Sequence, residues 1–105
     1  MKQLEAQQLH RRLQQGEPPL LLDVREDWEF AIASIEDSRH IPMNNIPDRL
    51  DELDPGQETV VICHHGMRSE QVAHYLEQNG FSDVSNLSGG IDSWAREVDN
   101  SVPVY

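Results

Sequence analysis

The sequence predicts an α/β fold, with a central, mostly parallel sheet covered by helices on both faces in three layers. Three observations carry that expectation. Short apolar runs at residues 20–24, 59–63 and 84–87 alternate with stretches whose apolar residues recur at helical spacing. The clearest run, Thr59-Val60-Val61-Ile62-Cys63, is continuous and β-branched rather than alternating, as a strand buried on both faces should be. The chain has 105 residues, near the usual size of one domain, so it is read as a single domain over 1–105.

Leu4, Leu9 and Leu13 share roughly one face of a first helix, which Gly16 stops. Pro18-Pro19 then forces an extended entry into Leu20-Leu21-Leu22-Asp23-Val24, a buried strand ending in charge. Residues 26–33 are acidic first and apolar later, which suits a short helix, and 34–38 read as irregular. A brief strand is expected at 40–43. Asn44 or Asn45 is expected to cap a helix carrying Ile46, Leu50 and Leu53, with Pro47 in its first turn and Asp54-Pro55-Gly56 at its end. The helix from Ser69 to Asn79 has Val72, Ala73, Tyr75 and Leu76 at the right spacing and Gly80 to close it. After the strand at 84–87, Ser88-Gly89-Gly90 is a turn, and 91–98 form a last helix with Trp94 inward. Residues 99–105, with Pro103, read as an extended tail. Trp28, Phe30, Tyr75 and Trp94 are expected in the core.

The formal net charge is −11, from 8 Lys and Arg against 19 Asp and Glu. Nucleic acid and anionic lipid both bind through positive surface charge, so neither is an expected partner. The longest apolar run, Leu20-Leu21-Leu22, is cut at once by Asp23, and no signal-like run opens the sequence. The single cysteine excludes an internal disulfide, and a reducing cytoplasm is the expected setting.

That lone thiol stands at the carboxyl end of the best strand, where parallel sheets bind their ligands. Cys63-His64-His65-Gly66-Met67-Arg68-Ser69 then leads from strand through loop to helix. A tight loop entering a helix turns backbone N–H groups inward as an anion nest, and the helix adds its positive end. Gly66 permits a backbone conformation closed to other residues, while Arg68, His64 and His65 add donors. All of this favours a thiolate. Spacing alone leaves two readings open: a nucleophile, or an inert buried cysteine ending a strand.

The same residues resemble the C-x-x-G-x-R-S active-site loop of rhodanese-like domains. Asp23-Val24-Arg25-Glu26 with Trp28-Glu29-Phe30 is similar to that family's D-V-R-E-x-x-E-F element. Ile41-Pro42, Gly80-Phe81 and Leu87-Ser88-Gly89-Gly90 with Trp94 follow in the family's order. The resemblance implies a rhodanese-like fold and a sulfurtransferase. Cys63 would be the catalytic residue, and His64, His65, Gly66, Met67, Arg68 and Ser69 would bind the substrate. It also implies a small-molecule sulfur donor such as thiosulfate, a thiol or protein acceptor, and no metal or organic cofactor, since a persulfide carries the sulfur. Where the family usually has G-H-I-x-G-A, this chain reads Ala33-Ser34-Ile35-Glu36-Asp37-Ser38, so the turn must differ or Asp37 must go left-handed.

Three other readings stand beside this one. Cysteine phosphatases and arsenate reductases use C-x5-R, whereas Cys63 to Arg68 is C-x4-R, one residue shorter. A non-catalytic binding or regulatory module is the second, although the cysteine is retained. The third, a metal site of Cys63, His64 and His65, lacks the usual ligand spacing, and neighbouring side chains are expected to diverge. Asp23 and Arg25 are expected to pair with each other or with Glu26 and Glu29, while His10, His40 and His74 lie at the surface or core edge. The tail resembles the ending of rhodanese domains attached to enzymes that activate sulfur-carrier proteins, and it is expected to pack along the surface.

Overall fold

Alternate side chains of the strands point to opposite faces of a sheet, and here both sets are apolar. Leu21, Val60, Ile62 and Leu87 pack in one core cluster with Ala6, Leu9, Ile91 and Trp94. Leu22, Val24, Val61, Cys63 and Val84 pack in the other with Val72, Ala73 and Leu76. Two apolar faces demand helices on both sides, hence three layers.

A computed structural model describes residues 1–105. In chain order the elements are β1 (Lys2–Glu5), α1 (Ala6–Leu13), β2 (Leu20–Asp23), α2 (Asp27–Ile32) and β3 (Arg39–His40). Two 3-10 segments follow, Met43–Asn45 and Pro47–Glu52, and then β4 (Thr59–Ile62), α3 (Met67–Gln78), β5 (Val84–Ser88) and α4 (Gly90–Glu97). The sheet order is β1-β5-β4-β2-β3, and every pairing is parallel. Asp23 lies opposite Ile62, so β2 and β4 end side by side.

Several elements depart from expectation. Leu4 belongs to edge strand β1, paired with β5, rather than to α1. No α-helix forms around Ile46, Leu50 and Leu53; Arg49 N–H bonds the Ile46 carbonyl and Leu53 N–H that of Leu50, both three residues back. Pro47 begins this stretch, Arg49 leaves helical geometry with φ of −119° and ψ of 15°, and neither Asn44 nor Asn45 caps it. Strand β3 is Arg39–His40, earlier than the expected 40–43. Trp28 is not in the core but 60% exposed, with its ring edge-on to Tyr105 at 6.0 Å. Phe30 is half-buried and stacks on His40 at 4.5 Å; Tyr75 is also half-buried, and Trp94 is buried. Asp37, in the turn without glycines, has φ of 67°, the left-handed option. No helix is long and apolar enough to cross a membrane.

Candidate active site

Strand β4 delivers Cys63 to the edge of the sheet, and α3 starts only four residues later. Gly66 makes that turn possible with φ of 104°, in the region open to glycine. Its N–H points back at the sulfur, with N to Sγ of 3.1 Å. Met67, Arg68 and Ser69 therefore lie in the first turn of α3 rather than in a loop before it. The buried Ser69 hydroxyl stands 3.3 Å from Sγ. It also bonds Asn86 Oδ1 on β5. Asn86 Nδ2 donates to the carbonyl of Gly66 at 3.1 Å and to Gln3 Oε1 at 3.0 Å. Those two acceptors orient the amide so that its oxygen faces Ser69. The serine has one proton for two acceptors, the amide oxygen and the sulfur.

The start of α4 holds the other side of the turn. Ile91 N–H donates to the Cys63 carbonyl at 2.9 Å and Asp92 N–H to that of His64 at 3.1 Å. A Cβ on Gly90 would fall 2.6 Å from the Cys63 carbonyl oxygen. The glycine pair is therefore more than a turn: it admits the loop backbone against the helix end.

Arg68 does not reach into the pocket as a free fork. Its Nη1 and Nη2 donate to Glu29 Oε1 and Oε2 at 2.7 and 2.8 Å. The Arg68 bond, against the cost of burial, holds the Glu29 carboxyl down at about 2, and Glu29 in turn raises the Arg68 value. Arg25 is fully buried and paired with Asp23 through Nε and Nη2 at 2.9 and 2.7 Å. Burial by itself would lower the Arg25 value, but the bond and charge of Asp23 outweigh it, and the net direction is up. The expected pairing at the end of β2 is thus present, with Glu29 turned to Arg68.

His64 and His65 do not diverge. Their rings stack at 4.0 Å and 24°, and Tyr105 stacks on His64 at 4.1 Å and 6°. His64 Nε2 is buried without a protein partner. Burial first, then the charge of His65, lowers the His64 value, so this ring stays neutral to more acidic pH than an ordinary histidine. His65, His64 and Asp92 bring three ligand atoms within 4.8 Å of one another. Nearly parallel ring planes aim the two imidazole lone pairs side by side rather than at one point, so the cluster is poorly built for an ion, and Cys63 is not part of it.

Cys63, His64, His65, Met67 and Arg68 line one shallow open pocket with Gln71. The widest hollow lies elsewhere, lined by residues such as His10, Leu13, Ser34 and Trp94. It lacks the thiol, and chemistry rather than size marks the site. His10 and His74 are exposed and His40 is half-buried, all outside this pocket. Asn86, Asp92 and Tyr105 went unmarked because nothing local distinguishes them; only the register of β5, the start of α4 and the path of the tail bring them here.

A family model described as a rhodanese-like domain matches residues 5–97. A protein named sulfurtransferase from Allochromatium vinosum is 38% identical, over 91% of this chain and 90% of its own length. A putative sulfurtransferase of Bacillus subtilis is 39% identical, over 93% and 94%. The crystal structure of a rhodanese-like domain protein from Staphylococcus aureus superposes with a TM-score of 0.88 at 33% identity, covering 100% of this chain and 99% of that one. Other relatives are larger: the chain spans 38% of a chloroplastic rhodanese-like/PpiC domain-containing protein of Arabidopsis thaliana and 21% of an adenylyltransferase and sulfurtransferase of Zea mays.

Proposed function

The chain belongs to the rhodanese-like domain family, and from that premise we propose that it is a sulfurtransferase that carries sulfane sulfur as a persulfide on Cys63. One observation carries the reading: a buried thiol at the end of a central strand receives the Gly66 N–H at 3.1 Å and faces the Ser69 hydroxyl at 3.3 Å. The Gly66 N–H stabilises negative sulfur, whether thiolate or the terminal atom of a persulfide, and Ser69 can turn its one proton from Asn86 toward the same charge. The amino end of α3 adds its partial positive charge at the same place.

In the first step the Cys63 thiolate attacks the outer sulfur of thiosulfate. A new S–S bond forms, the donor's own S–S bond breaks, and sulfite leaves with the electron pair. In the second step a nucleophile such as cyanide or a thiolate attacks the outer sulfur, and the pair returns to Sγ as thiolate. Each step balances without a redox partner. The spacing from Cys63 to Arg68, C-x4-R, is one residue shorter than the phosphatase loop and weighs against oxyanion chemistry of that kind. The family's sulfurtransferase members and the retained thiol weigh against a purely binding module.

Intact-mass measurement after incubation with thiosulfate tests the proposal. The expected result is a gain of about one sulfur atom, removed by a following acceptor thiol. A chain that gains no mass, or gains mass that no thiol reverses, would overturn it.

A further inference from the structure

The tail does not simply lie along the surface. Ser101 N–H bonds Asp99 Oδ1 at 3.1 Å, Val102 N–H closes the turn onto the Asp99 carbonyl, and Val102 is buried in the cluster of Trp94 and Ala95. Only Pro103 and the exposed Val104 separate that anchor from Tyr105. Tyr105 then meets the site in two ways. Its ring covers one face of His64 while His65 covers the other. Its hydroxyl accepts from Arg25 Nη1 at 2.7 Å and donates to Glu29 Oε2 at 2.9 Å.

Arg25 has five N–H groups. Asp23 takes those of Nε and one on Nη2, the Ala33 carbonyl takes the other on Nη2, and the Glu29 carbonyl takes one on Nη1. Tyr105 takes the fifth. Glu29 is likewise full: Oε1 accepts from Glu26 N–H and Arg68, and Oε2 from Arg68 and Tyr105. The phenol joins the two arginine pairs alongside the bond from Arg25 to the Glu29 carbonyl, with its own proton on the carboxylate.

We propose that Tyr105 is a positioning residue of the sulfur-transfer site, which holds His64 flat beside the pocket with its ring and steadies the Glu29–Arg68 pair with its hydroxyl. The kinetic part of this rests on the sulfurtransferase reading; the effect on His64 does not. The groups facing His64 are His65 from its own loop, Glu29 from α2, Asp92 from α4 and Tyr105 itself. Of the influences on His64, burial comes first and favours the neutral ring. Uncovering the ring therefore lets it protonate at higher pH.

The test compares Tyr105→Ala and Tyr105→Phe by nuclear magnetic resonance titration of the His64 ring and by thiosulfate kinetics over roughly pH 5 to 8. Tyr105→Ala should raise the His64 midpoint, and the pH at which KM for the anionic donor changes should rise with it. Tyr105→Phe keeps the ring, so the midpoint should stay while KM at neutral pH rises severalfold with kcat less affected. An unchanged His64 midpoint in Tyr105→Ala would overturn the proposal. So would two variants that melt earlier but show wild-type kinetics below the melt. If the wild type moved no sulfur, the sulfurtransferase reading would fail alone, and the His64 titration would still decide this one.

Discussion

Strands β2 and β4 run side by side in register and end at the same edge of the sheet, yet their ends do opposite things. At the end of β2, Asp23 and Arg25 are fully buried and every guanidinium hydrogen has a partner. At the end of β4, the sulfur receives the Gly66 N–H and lies beside a serine whose one proton Asn86 also draws, and His64 Nε2 has no partner. A buried ion pair earns its place only when fully bonded, because a lone buried charge is costly, whereas a nucleophile needs donors whose full value appears when charge develops on sulfur.

The largest expected effect separates the two ends outright. Cys63→Ser should lower sulfur transfer to the uncatalysed level while the thermal midpoint moves by only a few degrees, read by a thiosulfate–cyanide assay and calorimetry. Catalysis by this variant would put the chemistry at another residue. Asp23→Ala should do the reverse, costing about 3–5 kcal/mol in denaturant unfolding by leaving Arg25 buried and unpaired. A loss under about 1 kcal/mol would show that the end of β2 is not the structural hub described here.

Gly90→Ala should damage both measures, because its φ of 64° and its contact with the Cys63 carbonyl both resist a side chain. Transfer should fall on the order of a hundredfold as the loop shifts. A variant with normal transfer would mean that α4 does not set the loop. The smallest effect is one of pH. Glu29 sits at about 2 against an ordinary 4.5, so its stabilisation is complete above 4.5 and is lost as pH falls toward 2. Glu29→Gln should flatten the stability curve within that window, measured by denaturation at stepped pH. His64 also adds a loss below its ordinary 6.5, since the unfolded chain takes a proton there that the folded one resists. That part of the curve should remain in the Glu29 variant.

How much of this could be read in advance depended on the range of the interactions involved. The apolar runs of β2, β4 and β5, the helical spacing of α3, the strand-end position of Cys63 and the left-handed option at Asp37 are local facts, set by side-chain shape, period and backbone sterics. A sequence states those directly. Strand β1 is different: Lys2-Gln3-Leu4-Glu5 has no strand pattern of its own, and only the open edge of β5 makes it one. Trp28 lies outside the core because α2 turns Glu29 inward to meet Arg68 and leaves the indole on the other face. The stack of Tyr105, His64 and His65 joins residues about forty positions apart, so no window of sequence contains it. The residues by themselves determined the inner strands and the strand-end position of Cys63, because each is encoded within a few positions. The tertiary fold decided what surrounds the sulfur, because hydrogen-bond partners and stacked rings are chosen by where distant segments meet.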